Sequence, residues 1–221
     1  MRLIWLSHIL DEDTPLYGGA SGINIEVDRA LAGGDSCNTT VLTFPSHAGS
    51  HVDAPYHFLK EGKTVDLLPP ETWVFTAPLL IDMHISPTTL IEPDFFSLRL
   101  SSYDSTDLIL LRTGFERFRG GPVYWEDGPG LSPLLAKEIR QIFPQLRAIG
   151  IDFISISSQH HREQGRLAHR AFLEQKILLF EDLSLLGVNL ETQLAMVVAL
   201  PLRVKGGDGA PCTILGWLGE S

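Results

Sequence analysis

The 221-residue sequence lacks the features of a secreted or membrane-embedded chain. Its N-terminal apolar run, Leu3 to Leu6, is short and acidic residues 11–13 follow it, which is typical of a first strand and not of a signal peptide. No window approaches the ~20 apolar residues that cross a bilayer. Cysteine is scarce too: Cys37 and Cys212 stand far apart, without metal-type spacing. A disulfide between them is the alternative, but we expect two reduced thiols in a cytoplasmic protein.

Positive charge is also scarce. The chain has 17 Lys and Arg against 27 Asp and Glu, a net charge of -10, and no basic run longer than two residues. Such a surface repels polyphosphate, so we expect no nucleic-acid partner and no membrane partner. A hydrophobic content of 44% predicts a single domain over residues 1–221. The Gly-x-Ser-x-Gly turn is absent as well, which argues against a serine hydrolase.

Short apolar runs between Gly and Pro residues predict a strand-rich, mixed α/β domain with two or three helices. Several runs, such as 108–111, are continuously apolar, which is typical of strands covered on both faces. Ser132-Pro133 followed by apolar residues at helical spacing predicts a helix from that point. A second helix is predicted at 159–175 and a weaker third near 93–98. The predicted strands are 4–9, 23–30, 39–45, 77–83, 108–112, 148–154, 176–180, 194–202 and 213–218.

Residues that can carry chemistry concentrate between positions 47 and 57. His47, His51, Asp53, His57 and also Gly49 occupy odd positions, so in an extended chain they would share one face. A straight strand would separate the first two histidines by about 13 Å, whereas imidazoles on one ion need their nitrogens within ~4 Å. We therefore expect a strand end that turns into a loop, with a tight turn at Gly49. A polar loop of satisfied histidines is the plain alternative, and the spacing favours a metal or catalytic role.

The segment His47-Ala-Gly-Ser-His-Val-Asp-Ala-Pro-Tyr-His57 resembles the signature His-x-Gly-Thr-His-x-Asp-x-Pro-x-His of the cyclase-like metal-dependent hydrolases. That family includes bacterial kynurenine formamidases and isatin hydrolases. The resemblance implies a swivelling β/β/α fold and a homodimer or homotetramer. Further blocks follow in the family's order, namely Leu111-Arg-Thr-Gly114, Gly150-Ile-Asp152, Ala168-His-Arg170, Leu200-Pro-Leu202 and Gly206-Gly-Asp-Gly-Ala-Pro211.

The same resemblance implies roles for individual residues. His57 would be the proton donor and acceptor of the reaction. Glu181 also follows a buried apolar run, where a carboxylate is costly unless it is paired or bound to a cation. Three imidazoles and two carboxylates suit zinc, manganese or iron, and the resemblance implies two divalent ions, zinc or manganese. The implied ligands are His47, His51, Asp53, His169 and Glu181.

The implied reaction is hydrolysis of an amide, lactam or lactone bond in a small molecule, by water that the metal activates. Cleavage of N-formylkynurenine is the best-known match, an isatin-type or other cyclic substrate is the alternative, and a silent metal- or ligand-binding relative is the non-enzymatic one. Tyr17 stands where formamidases place a substrate-contacting aromatic, whereas Ser157 stands where their pattern has Asp. Arg112 could bind a substrate carboxylate, but pairing with an internal acid such as Asp152 is favoured.

Overall fold

The structure is a computed structural model that describes residues 2–97, 105–188 and 194–219. The described residues form thirteen strands and four α-helices. The strands are β1 (Arg2–Trp5), β2 (Asn24–Arg29), β3 (Thr39–Thr43), β4 (His51–Asp53), β5 (Val74–Phe75), β6 (Pro78–Asp82), β7 (Leu90–Ile91), β8 (Leu108–Arg112), β9 (Gly130–Leu131), β10 (Ala148–Ile151), β11 (Leu178–Glu181), β12 (Leu194–Pro201) and β13 (Gly209–Leu218). The helices are α1 (Asp94–Ser97), α2 (Pro122–Glu126), α3 (Pro133–Ile142) and α4 (Arg162–Glu174).

One nine-stranded sheet organises the molecule. Its order is β5-β12-β13-β4-β11-β10-β8-β6, and β1 pairs with β13. The strands β6, β8, β10 and β11 run parallel, whereas β4 is antiparallel to both β11 and β13. Because β12 also approaches β6, the sheet nearly closes into a barrel. This places the three-residue strand β4 in the middle of the sheet, between two longer strands.

The central strands are buried on both faces. In β8, Ile109 and Leu111 pack in the core under the helices, while Leu108 and Leu110 pack inside the curved sheet. Alternation of this kind explains why the run reads as continuously apolar. The helices α3 and α4 pack against each other and cover the outer face. The predicted strand-rich α/β architecture is confirmed.

Both long helices were predicted at their observed places. Pro133 opens α3, and the Ser132 hydroxyl accepts a hydrogen bond from the Leu134 amide, as expected of a helix cap. A short 3-10 turn leads into α4, so the predicted helix at 159–175 is confirmed. The inner face of α4 buries Ala168, His169 and Phe172, whereas Leu167 is 47% exposed.

The differences concern short strands and strand ends. The two-residue strands β5, β7 and β9 carry no periodic pattern, and neither does β4, so none was predicted. The first strand ends at Trp5, earlier than expected, and the last begins at Gly209 because its added residues pair with β4. The predicted third helix is a single turn, α1, and residue 98 of that prediction lies outside the described residues.

Cys37 and Cys212 are both free. Within the described ranges, no helix is long and apolar enough to span a membrane.

Candidate metal centre

A turn before β4 brings the first two histidines of the motif together. Gly49 has a φ of 61°, in the left-handed region that favours glycine. The rings of His47 and His51 then lie edge to face, with centroids 5.1 Å apart. The Nδ1 of His51 donates to the Gly49 carbonyl at 2.7 Å. The motif is thus a turn followed by a short strand and a 3-10 turn, and not a strand end that runs into a loop, because β4 is paired on both sides.

Four of the predicted ligands form what we call the inner cluster: His51, Asp53, His169 and Glu181, each 1–4% exposed. Nε2 of His51 lies 3.4 Å from Glu181 Oε2 and 3.6 Å from Asp53 Oδ1. Nε2 of His169 lies 3.3 Å from Asp53 Oδ2 and 3.5 Å from Glu181 Oε1. Two imidazoles therefore alternate with two carboxylates, and all four side chains are buried.

Regular secondary structure aims these side chains. Glu181, at the end of β11, is directly paired with His51 of β4. The Ile156 amide donates to Glu181 Oε1 at 2.7 Å, which orients that carboxylate. His169 comes from α4, and its Nδ1 donates to the Gly165 carbonyl at 2.8 Å. Both cluster histidines therefore use Nδ1 on a backbone carbonyl and turn Nε2 towards the carboxylates, the usual arrangement of metal-ligating histidines.

The outer cluster consists of His47, His57 and Asp208, with side chains 24–37% exposed. Asp208 Oδ2 lies 2.9 Å from His47 Nε2 and 3.0 Å from His57 Nδ1. His47 also joins the two clusters, because its Nδ1 lies 2.9 Å from Asp53 Oδ1. Gly209 permits this approach, since a Cβ there would meet the His47 ring at 2.4 Å.

Asp208 is the functional candidate that sequence reasoning missed. It lies in the loop before β13, next to a glycine in the Gly206 to Pro211 block. Its other carboxylate oxygen accepts a hydrogen bond from Ser46 at 3.0 Å, so the loop is fastened to the start of the motif. The resemblance of the Gly206 to Pro211 block to the family was the only available signal, because nothing in local spacing connects position 208 with the histidines.

Charge pairing sets the proton affinities of the ligand candidates. Burial alone would lower the pKa of His47, but hydrogen bonds with Asp53 and then Asp208 raise that pKa to about 9. For His169, burial is likewise outweighed by hydrogen bonds with Asp53 and Glu181, and its pKa rises to about 10. Despite burial, the same histidines hold the pKa of Asp53 well below its usual range. Without metal, the carboxylates therefore hold protons on the neighbouring imidazoles, and a bound cation can replace those protons.

His57 behaves differently from the other motif histidines. Burial lowers its pKa below the usual value, and this outweighs the attraction of Asp53. Burial would raise the pKa of Asp208, yet its contacts with His47 lower that pKa to about 2. At neutral pH the pair is thus an imidazole held by an ionised carboxylate.

The donor set fits divalent metal. Two groups of three potential ligand atoms lie within 4.8 Å of one another, one being His47–Asp53–His57 and the other His51–Asp53–Glu181. Asp53 belongs to both groups. Its Oδ2 is buried and has no well-aligned hydrogen-bond donor, although His169 Nε2 lies 3.3 Å from it. A buried carboxylate oxygen without a well-aligned donor is costly, and a bound cation removes that cost.

A cavity of about 310 Å³ opens onto the centre. Tyr17, the predicted substrate contact, lies on its wall, and burial raises the pKa of its hydroxyl. Phe58 forms another wall and stacks on the His169 ring with centroids 4.4 Å apart. Arg162 and Arg166 also line the cavity, and no site role was predicted for Phe58 or for either arginine.

Arg112 and Asp152 lie outside this cavity. The Arg112 side chain donates to Asp82 at 2.7 Å and to the Val188 carbonyl, so pairing with an internal acid is confirmed, but the acid is Asp82. Asp152 instead accepts hydrogen bonds from the Thr113 amide and hydroxyl and from the Gly114 amide. With only neutral donors around it, burial raises the pKa of Asp152 to about 6.

Comparison with known sequences agrees with this geometry. Residues 4–158 match the family model Cyclase, described as a putative cyclase. A kynurenine formamidase of Bacillus thuringiensis (strain Al Hakam) is 27% identical over 209 residues, covering 93% of this chain and 92% of that protein. Cyclase-like protein 2 of Oryza sativa subsp. japonica is 27% identical over 224 residues, covering 95% of this chain and 77% of that protein.

Solved structures share the fold. An isatin hydrolase bound to the product analogue thioisatinate superposes with a TM-score of 0.80 at 17% identity, covering 99% of this chain and 92% of the other. A potential metal-dependent hydrolase with cyclase activity gives 0.77 at 20% identity, covering 100% and 99%. At these identities the likeness establishes the fold.

Proposed function

The chain belongs to the cyclase family, and we propose that it is a metal-dependent hydrolase that cleaves amide bonds in small molecules. His57 acts as the proton carrier. The metal is a pair of divalent ions, zinc or manganese, which matches a donor set of imidazoles and carboxylates without thiolate. The proposed ligands are His47, His51, Asp53, His169 and Glu181.

The buried Oδ2 of Asp53 carries this proposal. The Nδ1 contact of His169 to the Gly165 carbonyl leaves Nε2 as its free nitrogen, 3.3 Å from that oxygen. If His169 is neutral, its Nε2 and the Asp53 Oδ2 present lone pairs to each other, so a cation is required between them. In the metal-free protein a proton on His169 supplies it, consistent with its raised pKa. Metal binding replaces such protons.

The outer cluster is arranged for proton transfer. When bound, divalent ions at this centre acidify a water and polarise the substrate carbonyl. His57 donates Nδ1–H to Asp208 at 3.0 Å, which fixes the ring and leaves Nε2 able to take up a proton. The same nitrogen can return the proton to the departing amine. The Asp208 contact therefore favours proton transfer over metal ligation as the role of His57.

The cavity favours an aromatic or cyclic substrate. At about 310 Å³ it stands at the lower end of small-molecule sites, and Tyr17 and Phe58 provide aromatic walls. We propose that Tyr17 stacks on a substrate ring, as in cleavage of an arylformamide such as N-formylkynurenine. An isatin-type lactam is the second candidate, because Ser157 lines the cavity in place of the Asp of the formamidase pattern.

Metal content and a substrate panel test this function together. Purified protein is analysed for bound elements, stripped with a strong chelator and reloaded with zinc or manganese. N-formylkynurenine, isatin and simple lactones are then assayed. We expect activity to disappear with the metal and to return on reloading. Full activity in strong chelator would overturn the proposal, and metal binding without turnover of any amide would favour the silent binding protein.

We also propose a single-domain, cytoplasmic, homodimeric or homotetrameric enzyme. Soluble enzymes of this size are commonly symmetric oligomers. The hairpin of β2 and β3 supports self-association, because it presents exposed apolar side chains such as Val27, 68% exposed, and Leu42, 56% exposed. Light scattering after size exclusion measures the assembly, and a monomer at all concentrations would contradict it.

A further inference from the structure

We propose that Arg162 and Arg166 form a subsite for a carboxylate group on the substrate. Both side chains line the cavity that opens onto the metal centre. This subsite rests on the proposed hydrolase function and implies in addition that the substrate carries a negative charge. It concerns residues that belong to neither the inner nor the outer cluster.

One helix face carries both the subsite and a metal-centre residue. Arg162, Arg166 and His169 stand at positions i, i+4 and i+7 of α4, which share a face. At a rise of 1.5 Å per residue, the Cα of Arg166 lies about 4.5 Å along the helix axis from the Cα of His169, and the Cα of Arg162 lies about 10.5 Å from it. A substituted aromatic ring spans the shorter of these distances. A ring substituent can therefore contact a guanidinium while the scissile bond lies at the centre.

Within residues 2–97, 105–188 and 194–219, neither arginine has an acidic partner. No described carboxylate lies within ion-pair distance of either guanidinium, whereas Arg170 on the same helix lies 3.8 Å from Glu174. The side chains are exposed and lie close enough to Tyr17 for their positive charge to favour the ionised form of its hydroxyl. In a chain with a net charge of -10, two guanidinium groups that have no acidic partner among the described residues form a local positive site on one cavity wall.

A carboxylate suits this site better than other anions. The planar guanidinium fork matches a carboxylate with two parallel hydrogen bonds. The floor of the cavity holds Asp53 and Glu181, whose negative charges disfavour a multiply charged group such as phosphate. Tyr17 and Phe58 accept the ring that joins the carboxylate to the amide. The substrate class is thus an aromatic amide that bears a carboxylate.

Matched substrates test the subsite. The probes are 2-formamidobenzoate, 3-formamidobenzoate and the methyl ester of each, which keep the scissile bond and remove the charge. The readout is the ratio of kcat/KM between acid and ester for the metal-loaded enzyme. We expect Arg162→Gln and Arg166→Gln to lower this ratio by about 10- to 100-fold, mainly through the KM of the acid. Arg166→Lys should keep part of the ratio, since it keeps the charge.

Arg170→Gln is the matched control, because it removes a positive charge from the same helix outside the cavity. Its ratio should equal that of the wild type. Equal ratios in Arg162→Gln, Arg166→Gln and the wild type would overturn the subsite while leaving the hydrolase function intact. An equal loss in Arg170→Gln would overturn it too, since helix charge in general would then be responsible.

A binding measurement separates failure of the subsite from failure of the function. Calorimetry with 2-aminobenzoate on the zinc-loaded protein needs no turnover. If no formamide is cleaved, binding about tenfold or more weaker in the double variant Arg162→Gln/Arg166→Gln than in the wild type still supports the subsite. Equal affinity would show that the carboxylate binds elsewhere and would overturn it. Equal zinc content and circular dichroism confirm that the variants are folded.

Discussion

The inner and outer clusters contain the same residue types in different surroundings. Inner residues are 1–4% exposed and project from β4, β11 and α4, whereas outer side chains are 24–37% exposed and come from turns and a loop. Regular elements with paired backbones hold a side chain in one direction. Loops place side chains beside solvent, where protons and substrates arrive. The difference separates a buried half, which contains four of the five proposed ligands, from a more accessible half, which contains the proposed proton carrier His57 and is joined to the first by His47.

Histidine shows the difference most clearly. His169 lies between two carboxylates, and its pKa is raised to about 10 despite burial. His57 has Asp208 as a carboxylate contact, and burial lowers its pKa. Pairing with Asp53 and Glu181 thus prepares His169 to share a cation, whereas His57 stays neutral and can accept a proton.

The largest effect is expected at Asp53, which both ligand groups share. Asp53→Asn keeps the volume and removes the charge, so both groups should lose metal. Because bound metal supplies several kcal/mol of transition-state stabilisation, kcat/KM should fall by about 10³-fold or more. Elemental analysis and kinetics measure the two effects. Asp152→Asn is the control, a buried aspartate outside both clusters, and full metal content in Asp53→Asn would contradict the bridging role.

Replacement of His57 should separate proton transfer from metal binding. His57→Gln is expected to lower kcat by about 10²- to 10⁴-fold, the usual contribution of a general acid–base, with metal content unchanged. Loss of one ion instead would make His57 a ligand and would erase the functional boundary between the clusters. His160→Gln, at an exposed histidine paired with Asp127, is the control and should match the wild type.

Asp208 should have a smaller effect, because it acts through the two outer histidines. Asp208→Asn weakens the contacts that orient His47 and His57, so we expect turnover to fall by about 10- to 100-fold. The ions should stay in place at saturating metal. Asp127→Asn alters a comparable His–Asp pair on the surface and serves as the control. Unchanged turnover in Asp208→Asn would show that the outer cluster needs no carboxylate.

The smallest effect concerns a buried carboxylate without a histidine partner. The pKa of Asp152 is raised from 3.8 to about 6, so the folded protein holds this proton more tightly than the unfolded chain. The stabilisation is complete below about pH 4 and is lost as the pH rises through about 6. Relative to Asp152→Asn, the wild type should lose about 1–3 kcal/mol of unfolding free energy between about pH 4 and about pH 7. Urea titrations at both pH values measure this, and a constant difference would contradict it.

Long periodic segments of this fold could be predicted, and short ones could not. The strand β8 and the helices α3 and α4 carry patterns over a whole element, with a cap at Ser132 that marks a helix start. The strand β4 has three residues and exists because β11 and β13 pair with it on both sides. No local pattern reports such pairing, since its partners lie more than a hundred positions away.

Much of the site could be predicted from sequence: the His47–His57 motif and its glycine turn from the residues, and His169 and Glu181 through the family resemblance. The remaining features depend on how the chain folds. The packing of distant segments placed Asp208 beside His47 and His57, buried Asp53 Oδ2 3.3 Å from His169 Nε2, and brought Arg162 and Arg166 to the cavity. The physical reason is that spacing along the chain encodes residue type and local turns, whereas burial, ion pairing and cavity walls arise only when distant segments pack together.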